Sequence, residues 1–198
     1  MVGIALSGFD LYDGSGWLIV VLFGQGIQNQ KTQSESLSPM IFIRKIFKRS
    51  KSLGQFGLLN FLAFLVMLVI SFFDDRTLNG VNVWMKPMKF AVSIGIFSWT
   101  MAWYLFYLPQ IRKVQKIKLT IITAMIIEMV IIIYQASRGE LSHFNVSSVG
   151  NAVLFQIMGI AILINTIMVF WAYQLFSSVE SLFAGYKRGI RLGMLIFI

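Results

Sequence analysis

The chain contains no cysteine and a single histidine, His143, in 198 residues. Without cysteine there are no disulfides, thiolate nucleophiles, iron–sulfur clusters or zinc–thiolate sites. One histidine without cysteine does not make a three-ligand zinc site. Charge is also scarce. Only 13% of the residues are charged, against about 25% in an ordinary soluble domain. Acids are the scarcer sign, with eight Asp and Glu against seventeen Lys and Arg. No P-loop, Gly-x-Ser-x-Gly or His-Glu-x-x-His motif occurs, which argues against a conventional ATPase or hydrolase. An enzyme is the less favoured class.

What remains is apolar. Hydrophobic residues make up 57% of the chain, gathered into runs of about the 20 residues that a hydrocarbon core demands. The pattern predicts an all-α, polytopic transmembrane helix bundle with four full spans and a partial fifth, at residues 54–73, 86–108, 119–136, 149–176 and 190–198. Asn60 is the strongly polar side chain within the interior of the first span. Pro87 falls in the first turn of the second, where a missing N–H is harmless. Lys86, Lys89, Ser93 and Thr100 share one helical stripe, expected to face protein or water.

Residues 1–39 read differently. The apolar run at 16–24 (GWLIVVLFG) is too short to span, and Asp10 and Asp13 precede it where a signal peptide carries basic residues. A flexible extension is expected, or an untranslated leader before a true start at Met40. Residues 40–53 form a basic juxtamembrane segment. Arg44, Lys45, Lys48, Arg49 and Lys51 there are expected to attract anionic lipid, as a plain positive flank or a short amphipathic helix at the headgroups. Residues 54–198 form the transmembrane domain.

Basic residues give the orientation. The basic segment at 40–53, the stretch between the second and third spans, and the one after the fourth hold twelve Lys and Arg, against Arg76, Lys86, Lys89 and Arg138 toward the other side. Positive charge stays inside, so the N-terminus is expected in the cytoplasm of a bacterial cell, with the protein in the inner membrane. Charge segregated in this way argues for topology and against nucleic acid as a partner of the +9 chain.

Within that topology the polar residues gather toward the outer leaflet. Glu128 lies about 15 Å into the third span at 1.5 Å per residue, and Gln135 is on the same face. An ionisable residue at that depth is costly and points to function. Glu128 is the expected proton or cation site, Lys89 its partner, and Gln135, Arg138, His143 and Asn145 the lining of the mouth. Lys86 is expected to bind an anion or snorkel to the interface.

Two motif sets carry a resemblance. Asp74-Asp75-Arg76-Thr77-Leu78-Asn79-Gly80-Val81 with Trp84-x-Lys86-Pro87-x-Lys89-Phe90 is one. Glu128 followed by Gln135-Ala136-x-Arg138-Gly139-x-x-Ser142-His143-Phe144-Asn145 is the other. Together they are similar to a family of uncharacterised bacterial multi-pass membrane proteins, over roughly residues 54–198. The resemblance implies fold and membrane location, and no activity. It also implies further spans and histidines beyond Arg191-Leu192-Gly193, so a truncated or split member is expected, partnered by a missing C-terminal half or other membrane subunits.

The leading function is therefore binding or transport of a small ligand, lipid or proton at an outer-leaflet polar pocket. The alternatives are a membrane-embedded redox or haem-binding protein with His143 as one ligand, and a scaffold with no chemistry. No cofactor is predicted; haem or a metal enters only with the first alternative.

Overall fold

The computed structural model describes residues 39–109, 111–180 and 182–197. The expectations for residues 1–38 lie outside the described residues. The chain divides into two compact units, Met1–Lys45 and Ile46–Ile198, and everything below concerns the second unless stated.

The elements are helical except for one hairpin. α1 (Pro39–Arg49) is followed by α2 (Lys51–Ser71), the short strands β1 (Thr77–Leu78) and β2 (Val81–Asn82), α3 (Met85–Leu105), α4 (Ile111–Ser137), α5 (Val149–Leu175) with a 3-10 turn at Phe176–Ser178, and α6 (Ala184–Phe197). Among the described residues three helical segments are long and apolar enough to cross a membrane: Lys51–Ser71, Ile111–Ser137 and Val149–Ser178. α3 matches α2 in length, but Lys86, Lys89, Ser93, Ser98 and Thr100 dilute its apolar character.

Two boundaries differ from the sequence reading. α4 starts at Ile111 rather than 119, so Arg112, Lys113, Lys116 and Lys118 are helical rather than a loop. Lys and Arg are good helix formers, and their charge marks the membrane edge without ending the helix. The final helix likewise begins at Ala184, through the basic Lys187–Arg191 stretch, rather than at 190. α5 begins where expected because Ser148 caps it, its side chain accepting the Asn151 N–H at 3.2 Å.

The distribution of polarity is the reverse of a water-soluble protein. Leu59, Leu62, Leu65, Val66 and Val69 on α2, with Ile160, Leu163 and Ile167 on α5, face outward. Asn60, Ser98, Glu128, Gln135, Asn151 and Asn165 are buried. Polar groups that turn inward while large aliphatics turn outward suit a solvent without hydrogen bonds.

α2 and α3 pack through small residues. A Cβ on Gly57 would lie 2.4 Å from the Trp99 ring, and one on Gly95 2.8 Å from Phe61. The two aromatics therefore sit in the space the glycines leave, edge to face at 4.9 Å. The Trp99 indole donates to the Gly54 carbonyl at 3.2 Å. Small residues that let helices approach are the usual device in lipid, where no hydrophobic force drives helices together.

Both ends are closed by local chemistry. Asn79 and Gly80 have φ +54° and +77°, the two positive values that a type I′ hairpin turn requires. Gly139 has φ +69° just past α4. Its N–H donates to the Ala136 carbonyl at 3.0 Å, and the Glu140 N–H to the Gln135 carbonyl at 2.9 Å. This is the Schellman ending of a helix. Gly139→Ala is expected to lower stability by about 1 kcal/mol, the cost of a left-handed non-glycine residue, while Gly139→Asn costs less. Unfolding midpoints in detergent check this; an unchanged midpoint for Gly139→Ala contradicts it.

Candidate functional site

The polar residues past the ends of α2 and α4 form three connected groups. The first is a clamp in the hairpin. Arg76 grips Asp74 with two N–H groups, Nε to Oδ1 at 2.9 Å and Nη2 to Oδ2 at 2.7 Å. The Trp84 indole donates to Asp74 Oδ2 at 2.8 Å. First the Arg76 guanidinium and then the indole hold the Asp74 carboxyl well below the usual carboxylate range. Arg76 Nη1 reaches the Ser137 carbonyl at 2.9 Å, so the hairpin is tied to the end of α4.

The second group is centred on Glu140. Its carboxylate accepts from Arg138 at 2.6 Å, from Asn151 at 2.6 Å and from Asn145 at 3.4 Å. Asn151 also accepts from Gln135 Nε2 at 3.1 Å. Asn145 shapes the loop that follows: its amide donates to the Leu141 carbonyl, and its oxygen accepts from Ser147 N–H and Oγ. Those bonds hold Phe144 at φ +56°, a strained value for a bulky residue.

The third group joins α3 to that loop. Lys86 Nζ lies 3.0 Å from His143 Nδ1, and Ser142 Oγ lies 3.1 Å from the same nitrogen. An ammonium only donates, so Nδ1 accepts and the ring proton sits on Nε2. Burial, and then the positive charge of Lys86, lower the His143 pKa, which keeps the imidazole in the neutral state this bond requires. Phe90 and Phe155 flank the ring at 5.8 and 6.4 Å.

A cleft of about 250 Å³ opens among these groups. Leu78, Val83, Phe90 and Ile132 give it an apolar wall, and Lys86, Lys89, Glu140 and Ser142 give it polar lining. Glu128 is buried in α4, with no hydrogen bond or ion pair among the described residues. Lys86 is the cation whose field reaches it.

The expected site residues are thus brought together in part. Lys86 and Lys89 line the cleft. Lys86, expected at the interface, is half-buried against His143, while Lys89, expected deeper, is exposed. Gln135 and Asn145 are buried in the Glu140 network rather than at the mouth, and Arg138 is exposed in its ion pair with Glu140. In sequence Glu140 reads as a loop charge capping the third span, or an oxygen ligand, and Asn151 as sharing a helix face with Asn165; that the two meet is found in the structure. An acid directly after a helix-ending Arg-Gly, followed by an asparagine one turn into the next helix, is the signal that finds them.

As a haem or metal ligand His143 fits poorly, because the one lone pair of its neutral ring accepts from Lys86. Among the described residues no group of three or more His, Cys, Asp or Glu could hold a metal ion. At the opposite end Arg49, one of the expected lipid cations, stacks 3.5 Å over the Trp103 ring, with Phe106 and Tyr107 beside it. It is held by aromatics rather than presented as a bare charge.

As the only histidine, His143 gives one carbon-13 ring signal to follow. Its midpoint is expected below the roughly 6.5 of a solvated imidazole. Because the folded value is depressed, the stabilising contribution is full above about pH 6.5 and is lost as pH falls through the folded midpoint. Lys86→Met removes one lowering charge and is expected to raise the midpoint. A wild-type midpoint at or above the solvated value contradicts this geometry.

In comparisons with protein-family models, curated proteins and solved structures, nothing matches this chain.

Proposed function

We propose that the protein is a multi-pass membrane protein that binds a small amphiphilic anion in the cleft between the hairpin, α3 and α4, and moves it together with a proton carried by Glu128. Four spans and a partial fifth, a cytoplasmic N-terminus and a bacterial inner membrane complete this proposal. They draw on the charge distribution of the loops and the motif resemblance. The DDRTLNGV hairpin and the RGELSHFN loop then share the outer face.

The observation that carries it is the make-up of the cleft. One wall is aliphatic and aromatic, and the other presents two lysines. Glu140 is already bonded to Arg138, Asn145 and Asn151, so its charge is spent within the protein. Lys89 is exposed and has no ion pair among the described residues. A ligand with an anionic head and an apolar tail satisfies both walls. Glu128 accounts for the coupling: a buried carboxyl within the field of Lys86 exchanges a proton as the charge around that lysine changes.

Octanesulfonate is a suitable probe because it stays charged at every working pH. In nanodiscs it is expected to bind and to shift the His143 signal, which octanol does not. Lys89→Gln should weaken binding about tenfold, or ~1.4 kcal/mol, within the range of one charge-assisted hydrogen bond. In proteoliposomes an imposed pH gradient drives octanesulfonate uptake by the wild type. Glu128→Gln inserts normally and loses that uptake. Equal binding of octanol and octanesulfonate, or wild-type uptake by Glu128→Gln, contradicts the proposal.

A further inference from the structure

The arginines of the two ends are treated differently. Past α2 and α4, Arg76 and Arg138 are each neutralised by an acid, at 2.7 and 2.6 Å. On α6, Arg188 and Arg191 have no ion pair among the described residues. The Arg191 guanidinium carbon lies over the Tyr173 ring, 4.4 Å from its centre, and its Nε–H is buried without an acceptor among the described residues. Arg188 is exposed. The two sit three positions apart on one helical face, and Leu192 and Leu195 continue that face. These four side chains and Tyr173 line a separate cleft of about 250 Å³.

We infer that this cleft is a binding site for the phosphate of an anionic phospholipid. A guanidinium donates through a fixed fork that matches phosphate oxygens in pairs. Arg191 is pre-oriented by its stack on Tyr173, so little rotamer freedom is lost on binding. A small turn on the ring brings its Nε–H edge to a phosphate oxygen, which supplies the missing acceptor. Arg188 provides the second charge from the open side. Leu192 and Leu195 are more than half exposed and run along α6 away from the arginines, where an acyl chain would lie. A free phosphate uses the arginines and leaves the leucines uncovered, so the amphiphilic lining favours lipid. The segment lies at the basic end of the helices, where anionic lipid is concentrated. The site is remote in sequence from the Lys86–Lys89 cleft and depends only on membrane location.

Native mass spectrometry of the full chain, released from micelles doped with phosphatidylglycerol or phosphatidylcholine, tests this. Phosphatidylglycerol is expected to be retained at least fivefold over phosphatidylcholine. Arg188→Gln, at an exposed position that leaves packing alone, should abolish that preference, and so should Arg191→Gln. Lys89→Gln should leave it unchanged, which separates this site from the other cleft. Equal retention of the two lipids, or a preference that survives both arginine substitutions, overturns the inference. Displacement of the lipid by millimolar inorganic phosphate also overturns it, since that identifies a free-phosphate site.

Discussion

The Glu140 carboxylate is the interaction on which the hairpin end of the bundle depends. It gathers Arg138 from the end of α4, Asn145 from the loop and Asn151 from the first turn of α5. Through Asn151 it reaches Gln135 in the buried face of α4. A polar group left unpaired in an apolar surround costs roughly 1–3 kcal/mol, so this single acid fixes where α5 starts relative to α4. That in turn sets the loop bearing His143 over the N-terminus of α3, where Lys86 meets it. The cleft exists because the two helix ends and the hairpin are tied to one another before any ligand is present.

Much of this is legible in the sequence, and the failures have physical causes. Long apolar runs disclose the helices because burial against lipid needs no periodic pattern. Asn79-Gly80 discloses the hairpin because few other pairs adopt two positive φ values. The start of α4 is not legible, since Arg112 to Lys118 signal a membrane edge and are also good helix formers. The difference in burial between Lys86 and Lys89 is not legible either. Both lie on one stripe of α3, and the choice between them depends on where a loop 57 positions away places His143. Glu140 reads as a local loop charge because its partners Asn145 and Asn151 only come near once the left-handed turn at Gly139 has formed.

The same economy of charge separates the two ends. Every acid that makes an ion pair among the described residues lies on the hairpin side. On that side the protein spends its carboxylates on its own arginines, and Lys89 is left without an ion pair among the described residues. On the other side, aromatic rings do the work of acids. Trp103, Phe106 and Tyr107 hold Arg49, and Tyr173 holds Arg191, so the positive charge is positioned without being cancelled. That arrangement keeps the positive charge of this end while giving Arg49 and Arg191 aromatic partners.

The most direct measurement exploits the absence of cysteine. Val81 lines the cleft and is half exposed, and Glu180 is an exposed residue near the Arg188 end. A single cysteine at either position can be probed in intact cells with a membrane-impermeant maleimide. The account predicts that Val81→Cys is labelled at once, and less so when octanesulfonate is present, while Glu180→Cys is labelled only after permeabilisation. The reverse pattern, or a Val81→Cys that stays unlabelled on both sides, would place the cleft away from the outer aqueous face and contradict the account.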